Sequence, residues 1–281
     1  MKPVTLARDR QLPLDRPHVM GVLNVTPDSF SDGGRFMEPA TAVAHAVEMV
    51  EQGADIIDIG GESSRPGAEP VTLEDELSRI MPVLTALRKV SSVPVSVDTY
   101  KAEVARTVLN EGADVINDIS ALRFDPDMAT VIAEHDVPVV IMHMLGAPRD
   151  MQKNPSYSDC VGAIKAFLQE RVDHATDRGI DRSKIIIDPG IGFGKRLEDN
   201  LDILARLDEF RSLQLPIAVG ASRKSFIGMI RPGPRQANQR LGGSLAAAVI
   251  AVANGAEIIR VHDVAETVEA LEVLRAMQER V

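Results

Sequence analysis

Eight short apolar runs along this chain each end abruptly in polar or charged residues. The runs are VMGVLN (19–24), IIDIGGES (56–63), PVSVDT (94–99), VINDIS (115–120), VPVVIMH (137–143), IIIDPG (185–190), PIAVGASRK (216–224) and IIRVHD (258–263). A buried strand cannot hold a carboxylate, an amide or a guanidinium without a large desolvation cost, so such endings are expected where strand tips meet a ligand cleft. The pattern favours an enzyme barrel.

Segments with helical periodicity separate the apolar runs. They cover 40–53, 72–90, 101–112, 125–136, 159–179, 197–207, 241–255 and 264–280. Strand and helix therefore alternate along the chain, which is the pattern of repeated βα units. We expect the last helix to pack on the barrel through a face formed by Val268, Leu271, Leu274 and Met277.

Three similar segments, EQGADIIDI, NEGADVINDI and ANGAEIIRV, join a helix to a strand. Each contains a glycine, Gly53, Gly112 or Gly255, followed within two or three residues by a predicted strand. Glycine just after a helix accepts the left-handed backbone geometry that ends the helix. These segments are therefore predicted αβ turns, and eight βα units favour a closed barrel.

We predict an α/β fold, a single (β/α)8 TIM barrel over residues 1–281, with its core at 19–281 and an N-terminal extension at 1–18. The rival fold, an open doubly wound sheet, holds its ligand at one switch point, whereas here functional-looking residues follow nearly all of the strands. We expect long βα loops at the C-terminal face of the barrel. The stretches that fit neither pattern all follow strands and are 26–36, 62–71, 144–157 and 231–240.

The composition limits the partners and the compartment. A formal net charge of -10 argues against nucleic acid as a partner, because phosphate binding relies on clustered Lys and Arg. The single cysteine, Cys160, excludes an intramolecular disulfide, and the six histidines show no zinc-ligand spacing. The chain has no signal-peptide core and no run near the roughly 18 apolar residues of a membrane helix. We expect a cytoplasmic protein with small-molecule substrates and no membrane partner.

Two glycine-containing motifs resemble nucleotide or hydrolase signatures but fail them. GIGFGK (190–195) lacks the Walker pattern, because Pro189 stands where the first glycine belongs and Arg196 where Ser or Thr belongs. Lys195 also occupies the last glycine position of the dinucleotide fingerprint. GASRK (220–224) lacks the final glycine of a nucleophile elbow. Nucleotide binding and serine hydrolysis both lose support.

Four polar residues at predicted strand ends favour a planar heterocyclic ligand. Asp98 and Asp188 follow apolar runs, and Asn117 ends a third run. A carboxylate accepts two neighbouring N–H donors, and an amide offers both a donor and an acceptor. Lys224 near the same mouth could bond a ring carbonyl or nitrogen. The alternative readings are helix-capping or salt-bridged aspartates and a solvated loop lysine.

Residues on the last and first strands favour an anionic group. Arg260 and His262 alternate along the last strand and so share a face, at the barrel end where phosphate is usually bound. Asn24 on the first strand could supply one oxygen to Mg²⁺ that bridges a diphosphate, since magnesium takes few protein ligands. His262 in the core, satisfied by a neighbour, is the alternative. We favour packing roles for Met142 and His143.

Two polar loops could close over a second substrate and exclude water. TPDSFSDGG carries Phe30 and Asp32, and ESSRPG carries Ser64 and Arg65. Loops of this composition are also compatible with simple solvation.

The ordered blocks GVLNVTPDSFSDGG, GGESSRPGA, SVDTYK, INDIS, IDPGIGFGK, GASRKS and IRVHDV together resemble the dihydropteroate synthase family of folate biosynthesis, from about Val19 to Asp263. This family binds a pterin in a (β/α)8 barrel and is the target of sulfonamides. The resemblance implies a transferase that joins 7,8-dihydropterin-6-ylmethyl diphosphate to 4-aminobenzoate, releasing diphosphate and 7,8-dihydropteroate. It also implies Mg²⁺ and a homodimer formed through the late helices.

The resemblance implies a role for each candidate site residue. The catalytic set is Asp98, Lys224, Arg260 and His262, and the pterin ligands are Asp98, Asn117, Met142, Asp188 and Lys224. The diphosphate ligands are Asn24, Arg65, Arg260 and His262, with Asn24 also on the metal. The aminobenzoate site comprises Phe30, Ser64, Arg65, Phe193 and Ser222.

Two alternative functions stay open. A pterin-binding methyltransferase domain shares the barrel and the pterin ligands, but it transfers a methyl group to a cobalamin partner. The pair Arg260 and His262 and the DSFSDGG loop favour the synthase. A noncatalytic pterin-binding paralogue is the second alternative, which the intact Asp98 and Lys224 oppose.

Overall fold

The computed structural model describes residues 3–26, 39–231, 233 and 235–280. Ten strands lie in this part of the chain: β1 (Val4–Thr5), β2 (Gln11–Leu12), β3 (His18–Asn24), β4 (Ile56–Gly60), β5 (Val95–Asp98), β6 (Val115–Asp118), β7 (Val139–Met142), β8 (Ile185–Asp188), β9 (Ala218–Val219) and β10 (Ile258–Val261). The last eight are parallel, in the order β8-β7-β6-β5-β4-β3-β10-β9. A parallel bridge between Ile187 and Ile217 joins the two edges of the sheet. The predicted barrel is confirmed and the open sheet was wrong.

Helices follow the strands as the periodicity predicts. They are α1 (Pro39–Glu51), α2 (Leu73–Val90), α3 (Ala102–Asn110), α4 (Met128–His135), α5 (Cys160–Asp177), α6 (Leu197–Ala205), α7 (Ser225–Met229), α8 (Leu241–Ala253) and α9 (Val264–Gln278). Short 3-10 turns lie at Ala7–Asp9, Arg182–Lys184, Leu207–Leu213 and Ala237–Gln239. The periodicity did not predict α7, because five residues are too few to show a helical repeat.

The repeated glycines end helices as predicted. Gly53, Gly112 and Gly255 have φ of 101°, 106° and 105°, which lies in the region that L-residues with a Cβ rarely adopt. In each case the next strand begins three residues later. At each of the three αβ turns the chain therefore reverses direction and enters the next barrel strand, β4, β6 or β10.

The inside of the barrel has an apolar layer at its N-terminal end. Seven of the eight strands contribute one side chain each to this layer: Met20, Ile56, Val115, Val140, Ile186, Ala218 and Ile258. The hairpin of β1 and β2 adds Val4, Leu6 and Leu12 to the same cluster. The N-terminal extension thus plugs this end of the barrel, while a larger core lies between the strands and the helices.

Strand alternation places the polar residues directly above the apolar layer. Successive inward side chains are two residues apart, so Asn117 follows Val115 and Asp188 follows Ile186 on the inner face. The same spacing puts Arg260 above Ile258. The barrel is therefore apolar at its N-terminal end and polar at its C-terminal end.

The last helix packs on the barrel through part of its predicted face. Leu271 is buried, and Val268 and Leu274 pack against the core. Met277 was expected on this face but is 63% exposed, because α9 ends one residue later and its last turn makes no core contact. In the described residues, no helix is both long and apolar enough to cross a membrane.

A buried carboxylate joins the N-terminal plug to the barrel wall. Asp114, just before β6, has no exposed side-chain surface and pairs with Arg8, Arg10 and Arg88. It also accepts a hydrogen bond from Val95 N at 2.9 Å. One aspartate therefore holds the hairpin, α2 and β5 together.

Asp114→Ala should strongly destabilise the fold. The change leaves several guanidinium groups and one backbone N–H without their shared acceptor, which should lower the free energy of unfolding by about 3–5 kcal/mol. Urea denaturation followed by circular dichroism measures this. The matched variant Asp202→Ala removes an exposed aspartate of α6 and should change stability by less than about 0.5 kcal/mol. Equal losses in both variants would contradict the assignment.

Candidate active site

A cleft of about 330 Å³ opens at the C-terminal end of the barrel. Eight of the predicted site residues line it: Ser64, Asp98, Asn117, Met142, Asp188, Phe193, Lys224 and Arg260. Ile119, Gly190, Ile191 and Gly220 complete the wall. The strand tips that looked complementary in the sequence therefore do converge on one space.

Two aspartates, Asp98 at the end of β5 and Asp188 at the end of β8, line this cleft. Burial raises the pKa of Asp98 to about 7 against the opposing charge of Arg260, with Asp58, Glu76 and Asp118 raising it further. Burial also raises the pKa of Asp188 to about 6, although its Oδ1 accepts Gly190 N at 2.7 Å. Both carboxylates lack a full set of partners and are ready to accept hydrogen bonds from a ligand.

Arg260 is held by two carboxylates at the floor of the cleft. Its Nε donates to Asp58 Oδ2 at 2.6 Å and its Nη2 to Asp98 Oδ2 at 3.0 Å. Burial opposes the charge of Arg260, but the two aspartates outweigh it and raise the pKa of the guanidinium. Arg260 thus stays charged and is fixed in orientation.

Lys224 reaches into the cleft while the residue before it turns away. Its Nζ lies 4.0 Å from the centroid of the Phe193 ring, and burial lowers its pKa to about 8, with Asp188 and Asp98 opposing that shift. Arg223 has φ of 59° and pairs with Asp263. Lys224 therefore lines the cleft, whereas Arg223 is the neighbour that turns away from it.

The GIGFGK segment forms a wall of the cleft. A Cβ on Gly190 would lie 2.0 Å from His143 O, so only glycine fits at this approach of the two loops. Lys195 is buried and its Nζ bonds His143 Nδ1 at 2.9 Å and Phe193 O at 3.0 Å. Burial lowers the pKa of His143 to about 2, so its ring is neutral and Nδ1 accepts a hydrogen bond from Lys195 Nζ. His143 packs beside the mouth, as predicted.

A second, acidic chamber adjoins the cleft and shares Ser64, Asp98 and Ile119 with it. Glu62 and Glu76 line this chamber, and Lys101 Nζ lies 2.5 Å from a carboxylate oxygen of each. Burial raises the pKa of Glu76 against the pull of Lys101. The charge of Glu76 in this chamber contributes to the raised pKa of Asp98.

Four other predicted residues do not line the cleft: Asn24, Arg65, Ser222 and His262. Ser222 Oγ bonds His262 Nδ1 at 3.1 Å and accepts His262 N at 3.3 Å. Burial lowers the pKa of His262 to about 3, with Arg260 adding to the effect, so its ring is neutral at pH 7. Arg65 is exposed on the loop after β4. Phe30 and the rest of its loop lie outside the described residues.

The described residues fit a magnesium ion that arrives with a substrate. A Cβ on Gly60 would lie 3.4 Å from Asn24 Oδ1 and 3.7 Å from Asp98 Cβ, which places Asn24 next to the cleft. In the described ranges, no three His, Cys, Asp or Glu side chains could together hold a metal ion. Magnesium often keeps water and substrate oxygens as ligands, so one amide oxygen is a compatible donor set.

Sequence reasoning missed Asp58. It is completely buried in β4 and bonds Arg260, yet its strand was noted only for the polar residues that follow it, which begin at Glu62. An aspartate inside an apolar run, in the inward register of Ile56, was the signal available. Such a residue needs a buried partner, and the pairing with a residue 202 positions away becomes visible only in the folded barrel.

Comparison with known proteins gives a consistent result. A family model described as pterin binding enzyme matches residues 20–262. Dihydropteroate synthase of Escherichia coli strain K12 is 49% identical over 271 residues, which are 96% of this chain and 95% of that protein.

Solved structures agree over the whole barrel. Dihydropteroate synthase of Xanthomonas albilineans with 4-aminobenzoic acid superposes with a TM-score of 0.92 at 47% identity, covering 99% of this chain and 98% of that one. The same enzyme in complex with 7,8-dihydropteroate gives 0.88 at 44% identity, with 98% of each chain covered. With relatives this similar over nearly its full length, the chain belongs to the dihydropteroate synthase family of pterin-binding enzymes.

Proposed function

We propose that this chain catalyses the dihydropteroate synthase reaction. In this reaction 7,8-dihydropterin-6-ylmethyl diphosphate and 4-aminobenzoate form 7,8-dihydropteroate and diphosphate. The observation that carries the proposal is the convergence of Asp98, Asn117, Asp188 and Lys224 in one cleft. Related enzymes bound to 4-aminobenzoic acid and to 7,8-dihydropteroate share the barrel.

The lining of the cleft matches the hydrogen-bonding edge of a pterin. Carboxylates at Asp98 and Asp188 accept ring and exocyclic N–H donors, whereas Asn117 and Lys224 bond ring carbonyl or nitrogen atoms. Met142 and Phe193 supply apolar contact to the ring faces. This arrangement binds a flat heterocycle in one orientation.

The reaction needs electrostatic stabilisation rather than a covalent nucleophile. When the C–O bond to diphosphate breaks, positive charge spreads into the ring, close to the carboxylate of Asp98. Arg260 and His262 bind the departing diphosphate, and Arg260 Nη1 has no partner among the described residues. The amine of 4-aminobenzoate then attacks the methylene carbon. The residues proposed to bind 4-aminobenzoate are Ser64, Arg65, Phe193, Ser222 and Phe30.

We also propose that Mg²⁺ binds together with the diphosphate group of the substrate. Asn24 would hold it together with diphosphate oxygens and water. When bound, the ion would neutralise charge on the leaving group.

The two alternatives are less well supported. A methyltransferase domain has no need for an arginine and a histidine beside an anionic leaving group, and here Arg260 lines the cleft with His262 two residues beyond it. A noncatalytic paralogue has no need for the buried charges of Asp98 and Lys224. Both alternatives predict pterin binding without dihydropteroate formation.

A homodimer and a cytoplasmic location stay predictions. The late helices offer a surface that a second copy could cover, because Met229, Ile230, Ile250 and Val273 are large apolar side chains that are exposed. Exposed large apolar side chains are common on surfaces that a partner covers.

Asp98→Asn should abolish most of the synthase activity while the protein stays folded. The amide keeps the shape but loses the charge that accepts the ring N–H and stabilises the developing cation, so kcat/KM should fall by about 10²–10³-fold. The assay follows diphosphate release and dihydropteroate formation together, with and without 4-aminobenzoate. Asp202→Asn is the control and should retain full activity. Diphosphate and dihydropteroate in unequal amounts, or an active Asp98→Asn variant, would contradict the proposal.

The activity should have a bell-shaped pH dependence. Ligand binding needs ionised Asp188 and Asp98, whose pKa values are raised to about 6 and about 7, so kcat/KM should fall as the pH drops through this range. Lys224, with its pKa lowered to about 8, loses its charge as the pH rises above that value. A pH series with Asp98→Asn separates enzyme from substrate titration. An unchanged acid limb in this variant would exclude Asp98 and assign the limb to Asp188 or to the substrate.

Asn24→Ala should raise the Mg²⁺ concentration needed for half-maximal activity. The loss of one oxygen ligand weakens the bound ion without disturbing the pterin ligands. Titration of Mg²⁺ into EDTA-treated protein, at saturating substrates, measures the shift. Binding of a pterin that lacks the diphosphate should be the same in both proteins. A variant with an unchanged Mg²⁺ requirement would remove Asn24 from the metal site.

A further inference from the structure

Asp58 is a buried carboxylate that the known chemistry of the cleft does not use. It lies in β4, has no exposed surface and does not line the cleft. Its Oδ2 accepts Arg260 Nε at 2.6 Å and Asn117 Nδ2 at 3.3 Å. Both of these partners are residues of the proposed pterin and diphosphate site.

The partners of Asp58 differ from those of other buried aspartates in this barrel. Asp118 accepts the backbone N–H groups of Ser120 and Leu122 at 2.7 and 2.8 Å, so it stabilises its own turn. Among the described residues Asp58 accepts no backbone hydrogen bond, and its Oδ1 is buried without a partner. Burying such a carboxylate is unfavourable, and here only site residues offset it.

Asp58 also restricts how Arg260 can pair. A free guanidinium tends to form two parallel bonds with one carboxylate. Because Asp58 takes Nε, the side-on pair of Nε and Nη2 is closed to Asp98, and Arg260 meets Asp98 through Nη2 alone, at 3.0 Å. Asp98 Oδ1 then stays available to a ligand, and Arg260 keeps Nη1 for the leaving group.

We propose that Asp58 is a positioning residue, which holds Arg260 so that Asp98 and the guanidinium face the ligand instead of neutralising each other. This inference rests on the proposed synthase function. With both carboxylates ionised, the cluster of Asp58, Asp98 and Arg260 also carries a net negative charge. That charge favours a transition state in which the pterin ring becomes positive.

A double-mutant cycle tests whether Asp58 acts through Arg260. In the full-length protein, Asp58→Asn should lower kcat/KM by about 30-fold, since it releases the guanidinium. In the Arg260→Ala background the same change should have less than about a 3-fold effect, because the group that Asp58 positions is gone. Independent, multiplying losses would overturn the proposal. Native activity is measured beside them, so failure of the synthase function itself would be seen separately.

The pH profile gives a readout that a purely structural role would not move. The charge of Asp58 raises the pKa of Asp98, so Asp58→Asn should shift the acid limb of kcat/KM to lower pH. A fall in activity without any shift of this limb would count against the proposal.

A matched control separates positioning from folding. Asp118→Asn also removes a buried aspartate at this end of the barrel, but its loss should multiply with that of Arg260→Ala. Asp58→Ser is a second variant, small enough to admit water beside Asn117. If neither Asp58 variant folds, as judged by circular dichroism and urea denaturation, Asp58 serves the barrel and the proposal is wrong.

Discussion

Buried charge at the strand ends is the constraint on which this site depends. Asp58, Asp98, Asp188, Lys224 and Arg260 lie where the barrel excludes most water, and a charge there is stable only with a partner. Arg260 satisfies two carboxylates at once, and Asp188 draws on a backbone N–H. Among the described residues, Asp98 and Asp188 keep oxygens that can accept further hydrogen bonds, so a ligand with matching N–H donors is stabilised there.

The closed barrel makes that arrangement possible. Strand alternation puts an apolar layer directly beneath the polar layer, and the N-terminal hairpin covers the other side of that apolar layer. The charged side chains therefore lie directly above apolar side chains. At the mouth, Gly190 lies closely against His143 O, and Lys195 Nζ bonds His143 Nδ1, so these residues form one continuous wall. A rigid, partly dry site keeps its charges oriented before the substrate arrives, which is the condition for electrostatic catalysis.

Much of the fold could be read from the sequence because its signals are local. The helix boundaries agree within a few residues, and Gly53, Gly112 and Gly255 end helices for the conformational reason predicted. Helix α7 was missed because it is too short, but two other misses had nonlocal causes. The N-terminal extension was placed outside the core, yet its apolar residues plug the barrel, and Met277 fits a helical stripe but is exposed. Whether the N-terminal extension or Met277 contacts the barrel depends on the tertiary structure and not on a local sequence pattern.

For the site, the sequence by itself determined which residues stand at strand ends and what chemistry they offer, because an apolar run followed by Asp98, Asn117 or Asp188 is a local pattern. Tertiary structure decided how those groups pair. Whether Arg260 meets Asp58, Asp98 or a phosphate depends on the register and closure of the barrel. Likewise, Ser222 meets His262 only because β9 and β10 are neighbours. Pairing across distant strands is a property of distances in space, which residue spacing along a chain does not contain.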